Sequence, residues 1–144
     1  MDLPFARVRP EGQLPEVQHP GDAGLDLRAA MGVTVKPGER AMVPTGVAVA
    51  IPDGHAGLVL PRSGLASKRG LTLANAPGLI DAGYRGEVIC VVINLDPHEP
   101  VEITPGDRVA QLVVVEVPEV RPRFVDELPR SARGEGGFGS TGTS

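Results

Sequence analysis

Glycine and proline recur along the whole chain and divide it into short apolar segments. The 144 residues include nineteen Gly and fifteen Pro, which is too many for a helical bundle and lacks the three-residue period of collagen. Several of the segments between them alternate apolar and polar side chains, as Val47, Val49 and Ile51 do. Such alternation is typical of strands. The pattern therefore predicts an all-β domain built from many short strands.

The composition fits a single globular domain with an aliphatic core. Hydrophobic residues make up 41% of the chain and charged residues 22%, with no Trp, one Tyr and three Phe. The length is sufficient for one domain with a real core. The net charge of −4 argues against a protein that coats nucleic acid, because such a surface is normally basic. A small polyanionic ligand would have to be bound by a few well-placed Arg residues.

Cysteine usage and hydropathy indicate a cytoplasmic protein. The single Cys90 lies in an apolar segment and is expected to be a buried core thiol. One cysteine cannot form an intrachain disulfide, which favours a reducing compartment. The first twelve residues contain no apolar stretch of the kind found in signal peptides, and no segment approaches 18 apolar residues. We therefore expect neither a signal peptide nor a membrane span.

Strands are expected throughout the chain, with one helical segment. Their approximate positions are residues 3–8, 24–29, 33–35, 41–43, 47–51, 58–60, 89–95, 101–103 and 109–117. The segment 89–95 is apolar on both faces until Asn94, which predicts a central buried strand. Residues 63–68 predict one or two turns of helix, with Ser63 as the cap and Gly70 as the stop.

A short motif occurs twice. Residues 33–40 and 101–108 share the pattern V-x-(V/I)-x-P-G-(acid)-R, which predicts a strand, a tight turn and a second strand in each case. Two copies of eight residues cannot build a solenoid, so we interpret them as recurrent hairpin chemistry.

The segment 71–88 is predicted to be a β-hairpin with polar groups along its rim. Turn-forming pairs occur at 77–78 and 82–83, between apolar ends. The polar side chains of this segment are Asn75, Asp81, Tyr84, Arg85 and Glu87. They fit either an ordinary exposed hairpin or a binding site, and this segment alone does not distinguish the two.

Three further stretches carry candidate functional residues, each with a structural alternative. Asp26 either faces solvent in its alternating strand or supplies an oxygen ligand to Mg²⁺ or its waters. Arg62 and Ser63 are either a surface Arg and a helix cap or an anion cradle, which Gly64 would let a ligand approach closely. Gln111 lies among apolar residues, so its amide is either satisfied within the core or contacts a ligand.

The final residues, 133–144, are predicted to form a flexible Gly-rich strap attached to a domain of residues 1–132. Gly-rich ends are usually disordered termini or linkers. Here Phe138 stands alone among glycines, and Arg133, Ser140 and Thr141 are residue types that bind phosphate. The segment is not a P-loop, because it lacks the lysine of that motif. A strap that closes over a nucleotide fits these residues better than a tether.

Five stretches together resemble a known family. They are AGLDL (23–27), PRSGLA (61–66), GLIDAGYRGEV (78–88), GDRVAQL (106–112) and RGEGGFGSTG (133–142). In order and spacing they are similar to the five motifs of the trimeric deoxyuridine triphosphatases (dUTPases), and the resemblance spans residues 23–142. It implies a jelly-roll-like (β-clip) all-β domain that forms a homotrimer. Three active sites would lie at subunit interfaces, each closed by the tail of another subunit.

The resemblance also implies an activity and a set of site residues. The reaction would be hydrolysis of dUTP to dUMP and pyrophosphate with Mg²⁺, and no nucleic acid or membrane partner is expected. Asp81 would be the general base, and Asp26 would hold Mg²⁺ through water. The substrate-binding residues would be Arg62, Ser63, Gly64, Asn75, Gly78, Ile80, Tyr84, Gln111, Arg133, Phe138, Gly139, Ser140 and Thr141.

The resemblance gives each part of the nucleotide a place. Uracil would enter between the strands of the 71–88 segment and be read by backbone groups and Asn75. Tyr84 would pack under the deoxyribose and Phe138 over the uracil. Arg85 and Glu87 would serve the turn or a subunit contact.

Two other functions are compatible with the sequence. A dCTP deaminase shares the fold and a related nucleotide site, but its members do not usually end in this kind of tail. A non-enzymatic trimeric β protein would not need residues 133–144 for its function.

Overall fold

The computed structural model describes residues 1–143 and, within them, ten strands and one short helix. The strands are β1 (Phe5–Arg7), β2 (Leu25–Arg28), β3 (Val33–Val35), β4 (Arg40–Val49), β5 (His55–Leu60), β6 (Leu71–Leu73), β7 (Gly78–Ile80), β8 (Glu87–Asn94), β9 (Val101–Ile103) and β10 (Arg108–Glu116). The helix α1 is Ser63–Arg69. The predicted all-β fold is confirmed.

Two four-stranded antiparallel sheets enclose the core. Their strand orders are β1-β4-β8-β6 and β2-β10-β5-β7, and β3 and β9 form a separate two-stranded sheet. Aliphatic side chains from both large sheets are almost fully buried, among them Leu27, Val43, Val92 and Leu112. Within residues 1–143, no helix has the length and apolar character needed to cross a bilayer.

The repeated motif builds the two-stranded sheet and leads into both large sheets. Its two copies pair with each other through β3 and β9, with Val33 opposite Ile103 and Val35 opposite Val101. Each copy then turns at a Gly of positive φ, +77° at Gly38 and +92° at Gly106. The strand–turn–strand prediction is confirmed, but each turn passes the chain into a different sheet and closes no hairpin. The strands that follow, β4 and β10, are inner strands of the two large sheets.

The segment 71–88 is not the β-hairpin that the sequence predicts. β6 pairs with β8 in the first sheet, where Leu71 lies opposite Asn94. β7 pairs with β5 in the second sheet, where Gly78 lies opposite Val59. The chain therefore crosses from one sheet to the other and back. Apolar alternation cannot reveal this crossing, because it marks strands and not their partners.

Two predicted strands are also corrected. Residues 41–43 and 47–51 are expected as two strands, but β4 is continuous, with an irregular register between Pro44 and Ala48. Gly46 lies in this irregular stretch with φ of +74°. β8 is an inner strand as predicted, yet it is buried on one face only, and Ile89 on the other face is 38% exposed.

The N-cap of the helix lies one residue earlier than the sequence predicts. Arg62, and not Ser63, is the N-cap residue, and it makes no side-chain capping hydrogen bond. Gly70 ends the helix in the left-handed conformation, with φ of +69°. Lys68 and Arg69 lie in the last turn, where positive charge complements the helix dipole. The hydroxyl of Ser63 is thus not used as a cap.

Candidate active site

Three predicted stretches meet at one end of the second sheet. Asp26 on β2 lies opposite Gln111 on β10, and Gln111 lies opposite Leu60 at the end of β5. From Leu60 the chain passes through Pro61 into the helix. A cleft of about 380 Å³ opens here, which we call the β2–β10 cleft. Its lining includes Gln18, Asp22, Ala23, Gly24, Asp26, Arg62, Ser63, Gly64 and Gln111.

Asp26 is buried between two guanidinium groups. It is 8% exposed, and its carboxylate oxygens lie 3.4 Å from Arg62 Nε and 3.4 Å from Arg108 Nη1. The solvent-facing alternative for Asp26 is therefore wrong, because the arginines cover its face of the strand. Arg108 is not among the site residues predicted from the sequence. The signal was its place in GDRVAQL, at the end of β10 that pairs with β2.

Gln111 contributes both to the fold and to the cleft. Its amide nitrogen donates a hydrogen bond of 3.0 Å to the carbonyl of Pro61, while the side chain lines the cleft. Gly24, which is not among the predicted site residues, leaves space for this side chain. A Cβ atom at Gly24 would lie 2.2 Å from Gln111 Oε1.

The start of the helix faces the β2–β10 cleft. Ser63 and Gly64 are its first two residues, and both line the cleft with Arg62. The first backbone N–H groups of a helix have no partner within it. A Cβ atom added to Gly64 would have nothing within 4 Å, so this surface is open. Backbone donors beside an arginine are suited to binding an anion.

A second pocket, of about 290 Å³, lies between β7 and β8, and we call it the β7–β8 pocket. Asn75, Gly78, Ile80, Asp81 and Tyr84 all line it. β7 is an edge strand that pairs only with β5 in the described part of the chain. One side of its backbone is therefore available to hydrogen-bond a ligand. The structure thus brings together five of the predicted site residues here.

Tyr84 is held against the turn that closes the β7–β8 pocket. Its hydroxyl donates a hydrogen bond of 2.9 Å to the carbonyl of Glu87, and its backbone N–H donates to the carbonyl of Asp81 at 3.0 Å. A Cβ atom at Gly86 would lie 2.4 Å from the Tyr84 hydroxyl. Gly86 is therefore needed for this ring position, although the sequence reasoning did not select it.

Arg85 and Glu87 have different structural roles. Arg85 Nη1 donates to the carbonyls of Ala82 and Tyr84, so it serves the turn as predicted. The Glu87 carboxylate instead accepts from Arg9 Nε at 2.7 Å and from the Gly46 N–H at 2.9 Å. The hydrogen bond from Arg9 is the main cause that lowers the pKa of Glu87.

Cys90 lies in the core behind the β7–β8 pocket, as predicted. It is 1% exposed, and burial raises the pKa of its thiol to about 12. A thiol with that pKa is not a nucleophile at neutral pH.

The tail contacts neither pocket of its own chain. No described residue of the 133–143 stretch lines the β2–β10 cleft or the β7–β8 pocket. Its hydrogen bonds are local, such as those between Arg133 and Gly136. The ring of Phe138 is fully exposed. The structure therefore separates the predicted site residues into three groups.

The two pockets are far apart within one chain. β2 and β7 are three strand spacings apart in the second sheet. Along the strand direction, Asp26 is level with Leu60 of β5, through Gln111. Asp81 directly follows Ile80, which is paired with Gly57 of β5. Strand spacing and rise place the Cα atoms of Asp26 and Asp81 about 20 Å apart. The two pockets of one chain are therefore separate.

A cleft lined by an arginine and a helix start, together with a pocket along a free strand edge, would suit a nucleotide-binding β domain. A sequence model of the dUTPase family matches residues 10–142. The deoxyuridine 5′-triphosphate nucleotidohydrolase of Streptomyces avermitilis is 60% identical over 99% of this chain and 81% of its own length. That of Thermobifida fusca is 57% identical over 94% of this chain and 76% of its own length. The chain belongs to the dUTPase family.

Solved structures agree with this assignment. A mutant dUTPase of Staphylococcus bacteriophage 80alpha, bound to dUpNHpp, matches with a TM-score of 0.91 and 32% identity over 99% of both chains. A mutant dUTPase from phage phi11 of S. aureus, in which a structural Mg(II) ion is coordinated, matches with a TM-score of 0.82 and 30% identity. That match covers 88% of this chain and 98% of the phage protein. The predicted family and jelly-roll-like fold are confirmed, and the dCTP deaminase alternative is not favoured.

Proposed function

We propose that this chain hydrolyses dUTP to dUMP and pyrophosphate by attack of water on the α-phosphorus, and thereby clears dUTP and supplies dUMP. The observation that carries the proposal is Asp81 at the end of a strand whose free backbone edge lines a pocket of about 290 Å³. That arrangement can hold a base and place a carboxylate beside the attached phosphate.

Asp81 is the general base of this proposal. It follows β7 directly, it is exposed to the pocket, and its backbone carbonyl is fixed by the N–H of Tyr84. A carboxylate that accepts a hydrogen bond from water orients the attacking lone pair and takes the proton as the P–O bond forms. The negative charge that develops on the phosphates needs donors, which the β2–β10 cleft of a neighbouring chain would provide.

The β2–β10 cleft binds the phosphate chain. Arg62, the Ser63 hydroxyl, the backbone N–H groups at Ser63 and Gly64, and Gln111 are its donors. They are fixed in place by the strand pairing and the helix start, so they need little reorganisation when charge develops.

Asp26 suits water-mediated contact with Mg²⁺. Both of its oxygens already lie near a guanidinium, which leaves them better placed to accept hydrogen bonds from metal-bound waters than to chelate an ion directly. Asp22 is the other carboxylate of the cleft, and the described residues contain no group of three or more His, Cys, Asp or Glu that could hold a metal. Mg²⁺ commonly binds through one or two carboxylates plus substrate phosphates. When bound, it neutralises negative charge on the triphosphate.

The β7–β8 pocket selects uracil and deoxyribose. The free backbone edge of β7, at Gly78 and Ile80, and the amide of Asn75 match the donors and acceptors of uracil. Cytosine exchanges an acceptor for a donor and would leave buried groups unpaired. The methyl group of thymine would collide with the strand. The ring of Tyr84 fills the space that a ribose 2′-hydroxyl would need.

A homotrimer would bring the pockets of different chains together. The separation of about 20 Å between the Cα atoms of Asp26 and Asp81 supports a site that draws on more than one chain. Large apolar side chains beside the β7–β8 pocket are exposed in the single chain, with Met42 at 68% and Leu79 at 66%. Burial of such side chains is a driving force for assembly.

The tail completes the site as a strap from another subunit. Its residues 133–143 line neither pocket of their own chain, so they are available to reach a neighbour. Phe138 would cover the uracil face by offset stacking. Arg133, Gly139, Ser140 and Thr141 would bind the γ-phosphate end and exclude water.

Product analysis tests the activity directly. The chain is incubated separately with dUTP and dCTP, with and without Mg²⁺, and pyrophosphate and ammonia are measured. We expect pyrophosphate from dUTP, more of it with Mg²⁺, and none from dCTP. Ammonia released from dCTP would overturn the proposal in favour of a deaminase. The free, buried Cys90 is compatible with a reducing compartment, and we propose the cytoplasm as the location of the protein. The assays therefore include a reductant.

A mixing experiment tests whether sites are shared between subunits. Asp81→Asn chains and chains truncated before Arg133 should each be inactive alone. After mixed unfolding and refolding, some sites combine an intact Asp81 with an intact tail, and activity should return. Light scattering should give a trimer. Mixed trimers without activity, or a monomer at micromolar concentration, would contradict the shared site.

A further inference from the structure

Glu87 is fixed on two sides and connects the β7–β8 pocket to the N-terminal segment. Its backbone carbonyl accepts the Tyr84 hydroxyl hydrogen bond of 2.9 Å. Its carboxylate accepts from Arg9 Nε at 2.7 Å and from the Gly46 N–H at 2.9 Å. The Glu87 carbonyl therefore holds the Tyr84 ring, while the Glu87 carboxylate is held by Arg9 and Gly46.

The groups that hold Glu87 are themselves closely packed. Val8 donates its backbone N–H to the Gly46 carbonyl at 2.8 Å, and a Cβ at Gly46 would lie 2.7 Å from the Cα of Gly12. The residues 8–12 thus wrap the irregular stretch of β4. The Thr45 hydroxyl donates to the carbonyl of Val88 at 2.7 Å. The backbone N–H of Arg9 also donates to the Gly46 carbonyl, so this packing positions the backbone of Arg9 relative to Glu87.

The ion pair is shielded enough for its loss to matter. The side chain of Glu87 is 15% exposed, and that of Arg9 is 41% exposed. Removing the guanidinium would leave a mostly shielded carboxylate with one of its two donors. Such a carboxylate gains by moving toward water. Because Glu87 is the first residue of β8, its movement would displace the carbonyl that accepts the Tyr84 hydroxyl.

We propose that the Arg9–Glu87 ion pair is a positioning element that fixes the Tyr84 ring and thereby sets the discrimination between deoxyribose and ribose. The inference rests on the proposed function, since that function gives the ring its place under the sugar. Exclusion of one hydroxyl group depends on a small volume, so a modest shift of the ring admits it. Asp81 is held through the backbone of Tyr84 and not through the ring, so the reaction with dUTP depends less on this ion pair.

The test compares kcat/KM for dUTP and UTP in the wild type and in Arg9→Met. We expect the dUTP/UTP ratio to fall about fivefold to tenfold, which corresponds to about 1 kcal/mol. The fall should come from faster UTP turnover, with kcat for dUTP reduced by less than about twofold. Arg9→Lys keeps the charge and should retain most of the ratio. Glu87→Gln removes the charge but keeps an oxygen that can accept both hydrogen bonds, so it should lower the ratio less than Arg9→Met does.

Arg7→Met is the matched control. Arg7 lies two residues away on β1, is exposed, and has no ion pair in the described part of the chain, so the ratio should not change. General destabilisation lowers the active fraction equally for both substrates and leaves the ratio intact. A discriminating wild type whose ratio persists in both Arg9→Met and Glu87→Gln overturns this inference alone. A wild type that does not hydrolyse dUTP overturns the proposed function and the inference with it.

Discussion

Gly24 lies directly against the side chain of Gln111, so that a Cβ atom on Gly24 would be 2.2 Å from Gln111 Oε1. Gly24 directly precedes β2, and Gln111 lies on the paired strand β10, opposite Asp26. The amide of Gln111 donates to the carbonyl of Pro61, and a side chain at position 24 would force this amide to shift. Gly24 thus leaves room for one of the donors of the β2–β10 cleft.

Gly24→Ala should therefore weaken binding of the phosphate chain. The added methyl group displaces the end of the Gln111 side chain, and we expect KM for dUTP to rise about tenfold. The stability loss should stay below about 1 kcal/mol, because the displaced group is the end of a flexible, partly exposed side chain. Steady-state kinetics and denaturant unfolding measure the two effects. In a Gln111→Ala background the same substitution should cost little, because the obstructed side chain is gone. Equal costs in both backgrounds would contradict the contact.

Gly86→Ala should relax sugar selectivity, whereas Gly83→Ala should not. A Cβ at Gly86 would meet the Tyr84 hydroxyl at 2.4 Å, but a Cβ at Gly83 would have nothing within 4 Å. Both glycines flank the same tyrosine, so they form a matched pair. We expect the dUTP/UTP ratio of kcat/KM to fall about tenfold for Gly86→Ala, and to stay within about twofold for Gly83→Ala. Equal ratios in the two variants would remove Gly86 from this role.

The bounds of a strand are predicted best from the sequence where a Pro-Gly turn follows the strand. The bounds of β3 and β9 are as predicted, because each is followed by a Pro-Gly turn whose Gly has positive φ. The grouping of Arg62, Ser63 and Gln111 was also predictable, but from the family resemblance. Pairing between β2 and β10 is a relation between distant parts of the chain, and a single sequence carries no signal for it.

The sequence could not predict which side chains form ion pairs, which strands pair, or which strand faces become covered. Asp26 fits a solvent-facing position in its alternating strand, yet Arg62 and Arg108 cover it. Arg9 and Glu87 are 78 residues apart, so their ion pair cannot be inferred from the sequence around either residue. The segment 71–88 has the turns of a hairpin, while its strands find partners in two sheets. In each case tertiary packing determines the outcome, and propensity does not.

Asp81→Asn should abolish turnover while nucleotide binding persists. The amide keeps the size of the side chain but cannot accept the proton from water, so kcat should fall about 10²–10⁴-fold. Pyrophosphate release measures the turnover, and titration calorimetry with dUTP measures the binding. Retained turnover would remove Asp81 from the role of base, and lost binding would indicate a structural defect instead.

Truncation before Arg133 should reduce turnover without loss of stability. The described residues of the tail make only local hydrogen bonds, so we expect Tm to change by less than about 2 °C. Loss of the strap should lower kcat/KM about 100-fold or more. Phe138→Ala in the full chain should give a smaller loss, because it removes only the stacking on uracil. A matching drop in Tm on truncation would count against a strap.

The Arg9–Glu87 pair should make stability depend on pH in the acid range. The hydrogen bond from Arg9 lowers the pKa of Glu87 in the folded protein, so the unfolded chain takes up the proton first as pH falls. A carboxyl group with a lowered folded pKa stabilises the fold fully above its unfolded pKa, about 4.3. That stabilisation is lost as pH falls through the lower folded pKa. Denaturant unfolding of wild type and Glu87→Gln should therefore show a difference in unfolding free energy at pH 7 and pH 5 that shrinks by pH 3. Arg9→Met should show the same convergence with the wild type. A difference that is constant from pH 7 to pH 3 would mean that the carboxylate charge does not stabilise this contact.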